Sequence, residues 1–116
     1  MKSLPILLLC VLVLFLLKKR FFDTTDYRVL LAEGVIIVDV RSPAEFYGGN
    51  LENSLNIPVG ELINNLEYLK DKNKTIITCC VSGIRSGAAK QLLVAKEGYK
   101  HVINGGGWRS LNSKIK

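Results

Sequence analysis

Thr75-Ile76-Ile77-Thr78-Cys79-Cys80-Val81-Ser82-Gly83-Ile84-Arg85-Ser86 is the stretch from which the rest of the chain is read. The β-branched, apolar run Thr75 to Cys79 reads as a buried strand, and Gly87 to Lys96 reads as a helix. A cysteine, Cys80, therefore sits where a strand gives way to a short loop feeding a helix. Backbone N–H groups in such a loop are unpaired and converge, and the helix dipole adds partial positive charge. A thiolate in that cup is stabilised by the same donors, which lowers the thiol pKa from its model value of about 8.5 and makes Cys80 a nucleophile near neutral pH. Gly83 permits backbone geometry that other residues resist. Arg85 brings a fixed cation able to hold the oxyanion end of a substrate. Ser86 is placed to cap the helix. Cys79, one residue earlier, should turn its side chain the other way, into the packed sheet.

Working outward, Val35 to Val40 is a second continuous β-branched run. Ser42-Pro43-Ala44-Glu45 has the spacing of a capping box with proline at the first helical position. Thr24 to Ala32 reads as a helix with Thr24 or Thr25 as N-cap, Asp26 in the first turn and Gly34 just past its end. Ser54 to Ile57 reads as a short strand. Glu61 to Leu69 carries Leu62, Leu66 and Leu69 at helical spacing, and Asp71 to Lys74 is a solvated turn. His101 to Ile103 is a last strand, and Gly105-Gly106-Gly107 turns into a short terminal helix. Strands alternating with helices predict an α/β fold: a central parallel sheet with helices on both faces.

The chain of 116 residues has room for one such domain and a short appendage. The appendage is residues 1–22, and the domain is 23–116. Leu4 to Leu17 is apolar apart from Pro5 and Cys10, with Lys2 before it and Lys18-Lys19-Arg20 after it, so it accounts for much of the 48% hydrophobic content. Those four cations carry four of the net +6 charges, leaving 12 basic against 10 acidic residues in the remainder. That balance argues against a nucleic-acid-binding face. The 14 apolar residues Leu4 to Leu17 rise about 21 Å as a helix, short of a hydrocarbon core of about 30 Å. Thinning and snorkelling, with Phe21-Phe22 at the interface, would close that gap and make the segment a single-pass membrane anchor. The cation excess behind it places the domain in the cytoplasm. The rival readings are a cleaved export signal, which would deliver the domain to the periplasm or outside, and a buried core helix. No Ala-x-Ala site favours cleavage, and Leu9 is bulky for a lipoprotein site at Cys10. Cysteines at 10, 79 and 80 form no disulfide framework, and with His101 as the only histidine there is no zinc-type spacing.

Three motifs in order give a specific likeness. Val38-Asp39-Val40-Arg41-Ser42-Pro43-Ala44-Glu45-Phe46, then Cys80-x-x-Gly83-x-Arg85-Ser86, then Asn104-Gly105-Gly106-Gly107-Trp108 resemble the single-domain form of the rhodanese (thiosulfate sulfurtransferase) family. The resemblance implies that Cys80 takes sulfane sulfur from thiosulfate or a similar donor as a persulfide. Val81, Ser82, Gly83, Ile84 and Ser86 would line the sulfur site, Arg85 would bind the donor's anionic part, and cyanide or a thiol would accept the sulfur. No cofactor or metal is required, because the cysteine carries the group. Asp39 would anchor loops near the site. Arg41 is expected to pair with an acid such as Glu45, and Trp108 to pack as core or lid.

Phosphatases and arsenate reductases of related architecture place five residues between Cys and Arg. Here there are four, Val81 to Ile84, a ring suited to a single sulfur rather than a phosphoryl group. The other class to weigh is a non-catalytic rhodanese-like binding or regulatory module. The family's binding modules often lack the cysteine, whereas Cys80 and Arg85 are both present here.

Overall fold

The computed structural model describes residues 4–21 and 25–116. Four short parallel strands make the sheet: β1 (Ile36–Asp39), β2 (Leu55–Asn56), β3 (Ile76–Cys80) and β4 (Val102–Gly107), in the order β2-β1-β3-β4. After β1 the chain steps outward to β2, then returns across the sheet to place β3 on the other side of β1. The strand order therefore reverses between β1 and β3, and the crevice beyond their carboxyl ends is where open α/β sheets place ligands. Register puts Asp39 beside Cys79 and Cys80 beside Gly107. The Asp39–Arg41 segment and the cysteine loop consequently meet at that crevice.

All five residues of β3 are buried, as a strand covered on both faces must be. Its side chains alternate between two cores. Ile76 and Cys80 belong to one, with Val38, Val40, Leu62, Leu69 and Leu93. Ile77 and Cys79 belong to the other, with Tyr27, Leu51 and Leu111. The helices are α1 (Leu4–Phe21), α2 (Tyr27–Ala32), α3 (Pro43–Tyr47), α4 (Ile84–Gln91) and α5 (Trp108–Ile115).

Several local expectations are refined. The N-cap of α2 is Asp26, whose carboxylate accepts from the N–H groups of Arg28 and Val29 at 3.1 and 3.3 Å. The capping box of α3 forms as read: Ser42 and Glu45 each bond the other's backbone N–H. Val59–Glu61 and Ile63–Leu69 are 3-10 segments with a kink at Asn65, rather than one α-helix. Leu62 and Leu69 are buried all the same. The helix after the loop starts at Ile84, three residues earlier than read, and widens to a π-turn over Leu92–Lys96. The last strand runs on to Gly107, so the glycines are strand rather than turn.

The apolar N-terminal segment is helical for 18 residues, with Ile6, Leu7, Leu8, Leu9, Val11, Leu12, Val13 and Leu14 exposed. Among the described residues, however, no helix is long and apolar enough to cross a membrane. The single-pass anchor is therefore not supported. The physical reason is length: the apolar run rises about 21 Å where about 30 Å is needed, and the helix ends in the cations Lys18, Lys19 and Arg20. Lys2, Phe22 and Thr24, which entered the anchor and N-cap readings, lie outside the described residues.

Candidate active site

The strand β3 delivers Cys80 to the sheet's carboxyl edge, and the next three residues turn sharply into α4. Gly83 makes that turn possible. It is the N-cap of α4 at φ +96°, a left-handed conformation that an L side chain resists. The turn aims its N–H at the Cys80 sulfur, 3.0 Å away, while the Ser86 N–H approaches at 3.4 Å. The Ser86 hydroxyl lies 3.4 Å from the same sulfur. Cys80 is 1% exposed. Burial pushes its thiol up, but the Ser86 hydroxyl and the N–H groups of Ser86, Gly83 and Ser82 outweigh it, holding the thiol below its ordinary pKa. Cys79 is the opposite case. It is fully buried in the second core, and desolvation first, then the Asp39 charge, push its thiol up to about 12. Two adjacent cysteines are thus split into a thiolate-favouring and an inert one by the period of the strand.

Ser86 does not cap α4, as its sequence position had suggested; it lies in the first turn, fully buried. Its hydroxyl is 2.6 Å from Asn104 Oδ1 on β4. Asn104 also donates Nδ2–H to the Gly83 carbonyl at 3.0 Å and accepts from the Gly106 N–H at 3.0 Å. Thr78, two residues before Cys80 in β3, donates its hydroxyl to the Ser86 carbonyl at 2.9 Å. The loop is therefore braced by its own strand β3 and by the adjacent β4. Asn104 was legible only as part of a motif; its place within β4, paired in register with Thr78 of the cysteine strand, is what gives it that role. Of the remaining loop residues, Val81 is 58% and Ile84 is 80% exposed, so their side chains stand out from the loop.

The ion pairs differ from expectation. Arg41 pairs with Asp39, not with the Glu45 side chain. Asp39 is fully buried and accepts from the Arg41 backbone N–H (3.0 Å), Nε (3.0 Å) and Nη2 (2.7 Å). The guanidinium goes on to donate to the carbonyls of Glu45 (3.3 Å) and Gly49 (2.7 Å), so Asp39 anchors the α3 segment through Arg41. Glu45 instead forms a two-pronged pair with Arg85, at 2.7 and 2.9 Å. The Arg85 guanidinium beside Glu45 holds that carboxyl down to about 2. Arg85 is thus at the loop, but its charge is already engaged by a carboxylate. Trp108 is partly buried against the second core, with the Arg41 guanidinium 4.9 Å and the Arg109 guanidinium 5.3 Å from its ring centroid. Its packing role is as read.

Among the described residues no cluster of His, Cys, Asp or Glu could hold a metal ion, and His101 is exposed. The structure is thus a parallel α/β domain with a thiolate-stabilising loop around Cys80 at its topological switch point. The comparisons with known proteins carry this further. Residues 23–114 match the family model of the rhodanese-like domain, and the chain belongs to that family. It is 35% identical over 75 residues to the thiosulfate sulfurtransferase PspE of Escherichia coli (strain K12), covering 64% of this chain and 71% of that one. It is 33% identical over 97 residues to a putative mitochondrial thiosulfate sulfurtransferase of Schizosaccharomyces pombe, covering 72% and 68%. Among solved structures, the human single-domain sulfurtransferase TSTD1 superposes with a TM-score of 0.67 at 30% identity, covering 78% of this chain and 92% of that one. A rhodanese with anions from E. coli gives 0.61 at 32% identity, covering 66% and 89%.

Proposed function

We propose that the protein is a sulfurtransferase that moves sulfane sulfur through a persulfide on Cys80. The observation that carries the reading is the pair of N–H groups of Gly83 and Ser86 converging on the Cys80 sulfur at 3.0 and 3.4 Å, with the Ser86 hydroxyl 3.4 Å away. The Cys80 thiolate attacks the outer sulfur of thiosulfate. A Cys80–sulfur bond forms, the donor's S–S bond breaks, and its electron pair leaves with sulfite. The outer sulfur of the resulting Cys80–S–S⁻ carries the charge, and the loop's N–H groups stabilise it as they stabilise the thiolate. Cyanide or a thiolate then attacks that outer sulfur, leaving as thiocyanate or a new persulfide and regenerating the Cys80 thiolate. Splitting the transfer in two predicts ping-pong kinetics. The names of the E. coli and S. pombe relatives support thiosulfate as donor.

In this reading Val81, Ser82, Gly83, Ile84 and Ser86 form the sulfur site, Arg85 supplies its rim, and Asp39 and Arg41 hold the neighbouring segment in place. The test is a thiosulfate:cyanide assay on the wild type and Cys80→Ser. Thiocyanate is expected from the first and none from the second. Equal inactivity with several donors would leave a non-catalytic module as the better account. The proposal extends to a cytoplasmic location, where a reducing pool keeps Cys80 free. Alkylation of Cys80 in intact cells by a membrane-impermeant thiol reagent would contradict it.

A further inference from the structure

The hydrogen-bond partners of Asn104 fix which way the Ser86 proton points. Its Nδ2 faces the Gly83 carbonyl at 3.0 Å, which can only accept, and its Oδ1 faces the Gly106 N–H at 3.0 Å, which can only donate. The amide is therefore not free to flip, and the atom that meets Ser86 Oγ at 2.6 Å is an oxygen. An amide oxygen carries no proton, so the single hydroxyl proton of Ser86 lies on that contact. Toward the Cys80 sulfur, 3.4 Å away, the hydroxyl presents lone pairs. That suits a thiol, whose S–H it can accept. It does not suit a thiolate, to which it can donate nothing while its proton is held by Asn104.

A turn about the Ser86 Cβ–Oγ bond moves that proton from Asn104 to the sulfur. Asn104 tolerates the loss, because its Oδ1 keeps the Gly106 N–H and the residue is exposed to water. Ser86 is fully buried, and the acceptors that its hydroxyl meets are Asn104 Oδ1 and Cys80 Sγ. We propose that Asn104 is a positioning residue for the transfer reaction: it holds the Ser86 proton while Cys80 Sγ is uncharged and yields it to the sulfur as charge arrives there. The order of states rests on the persulfide cycle proposed above. In the thiolate the hydroxyl donates to Sγ. Once the Cys80–sulfur bond has formed, the charge sits on the outer sulfur and the hydroxyl returns to Asn104. When cyanide or a thiolate attacks that outer sulfur, the electron pair of the broken S–S bond goes back to Sγ, and the Ser86 proton turns to meet it. The hydroxyl rotates, and no proton leaves Ser86 at any step.

A double-mutant cycle on Ser86 and Asn104 tests this, read as the pH midpoint of Cys80 alkylation by iodoacetamide and assigned by peptide mapping. The charged groups flanking the loop are the Asp39–Arg41 pair at the end of β1 and the Glu45–Arg85 pair between α3 and α4. Cys79 sits in the other core, β4 contributes no charge, and all of these groups are common to every variant. Ser86→Ala is expected to raise the midpoint by about one pH unit, the loss of one hydrogen bond to a charged group. Asn104→Ala is expected to lower it by about half a unit, because the hydroxyl proton is then free for the sulfur. In the Ser86→Ala background, Asn104→Ala should change nothing. A raised midpoint in Asn104→Ala, or a shift that persists at full size without the Ser86 hydroxyl, would make Asn104 a brace of Gly83 alone and overturn the proposal. A second readout is discharge by cyanide of a Cys80 persulfide loaded with inorganic polysulfide. Ser86→Ala should slow it several-fold, since the leaving thiolate loses a donor; an unchanged rate would count against the switch. The alkylation cycle uses no sulfur donor, so a wild type that takes no sulfur from thiosulfate would sink the donor reading and leave the role of Asn104 standing on its own result.

Discussion

Removing Asp39 should damage this protein more than removing most of its apolar core residues. Its carboxylate is fully buried and is the acceptor for three donors of Arg41, which is itself 4% exposed. Asp39→Ala leaves a guanidinium with two carbonyl acceptors and no counter-charge in a desolvated place. Breaking a buried pair in this way costs about 3–5 kcal/mol, largely the penalty of the abandoned charge. A domain of this size has about 5–15 kcal/mol in all. At an m-value of about 1.5 kcal/mol/M, the urea midpoint should fall by about 2–3 M. Removing both charges is the decisive comparison: Asp39→Ala combined with Arg41→Met buries no unpaired ion and should be more stable than Asp39→Ala alone. An Asp39→Ala unfolding free energy within about 1 kcal/mol of wild type, or a double variant whose loss equals the sum of the singles, would refute the reasoning.

Other expectations follow from the same geometry. Glu45 should titrate at about 2 in the folded protein, read from its side-chain carboxyl carbon by NMR. Because its folded pKa is depressed, the Arg85 pair contributes fully above the unfolded carboxyl value of about 4.3 and is lost as pH falls from there through about 2; a midpoint above 4 would mean the pair does not persist in solution. Iodoacetamide should modify Cys80 with a pH midpoint below the ordinary thiol value and leave Cys79 untouched in the native state, as peptide mapping would show. Gly107→Ala should cost about 1–3 kcal/mol by overpacking, because its Cβ would strike the Val81 carbonyl, and it should slow alkylation of Cys80 as the loop is displaced. Unchanged alkylation with unchanged stability would show that the two strands have room to spare there.

Much of this was visible in the residues because local rules and tertiary demands agree. Ser42 and Glu45 satisfy each other within one turn, and the β-branched runs are buried on both faces, so spacing alone places α3, β1 and β3. The same agreement made Cys79 and Cys80 separable, since alternation along a strand needs no knowledge of the rest of the chain. What failed depends on which ends the fold brings together. Glu45 had two arginine candidates; residues 39 and 41 lie on one side of an extended chain, so Asp39 takes Arg41 first and leaves Glu45 for an arginine 40 residues away. Asn104 braces Gly83 and Ser86 only because β4 lies beside β3, which its own sequence does not announce. Leu62 and Leu69 are buried and Leu66 is partly buried, but their spacing does not distinguish an α-helix from kinked 3-10 turns. At the N-terminus, apolar character gave a helix; among the described residues its length falls short of what a membrane crossing needs.

The central claim is that one cysteine, held by main-chain donors at the sheet's edge, carries the transferred sulfur. Mass spectrometry of the protein after brief exposure to thiosulfate, with peptide mapping, addresses it directly. One added sulfur atom on Cys80, absent from Cys79 and from the Cys80→Ser variant and lost again on addition of cyanide, is the expected result. A protein that stays unmodified, or one that takes up sulfur at Cys79 or Cys10 while Cys80 remains a free thiol, would contradict the account.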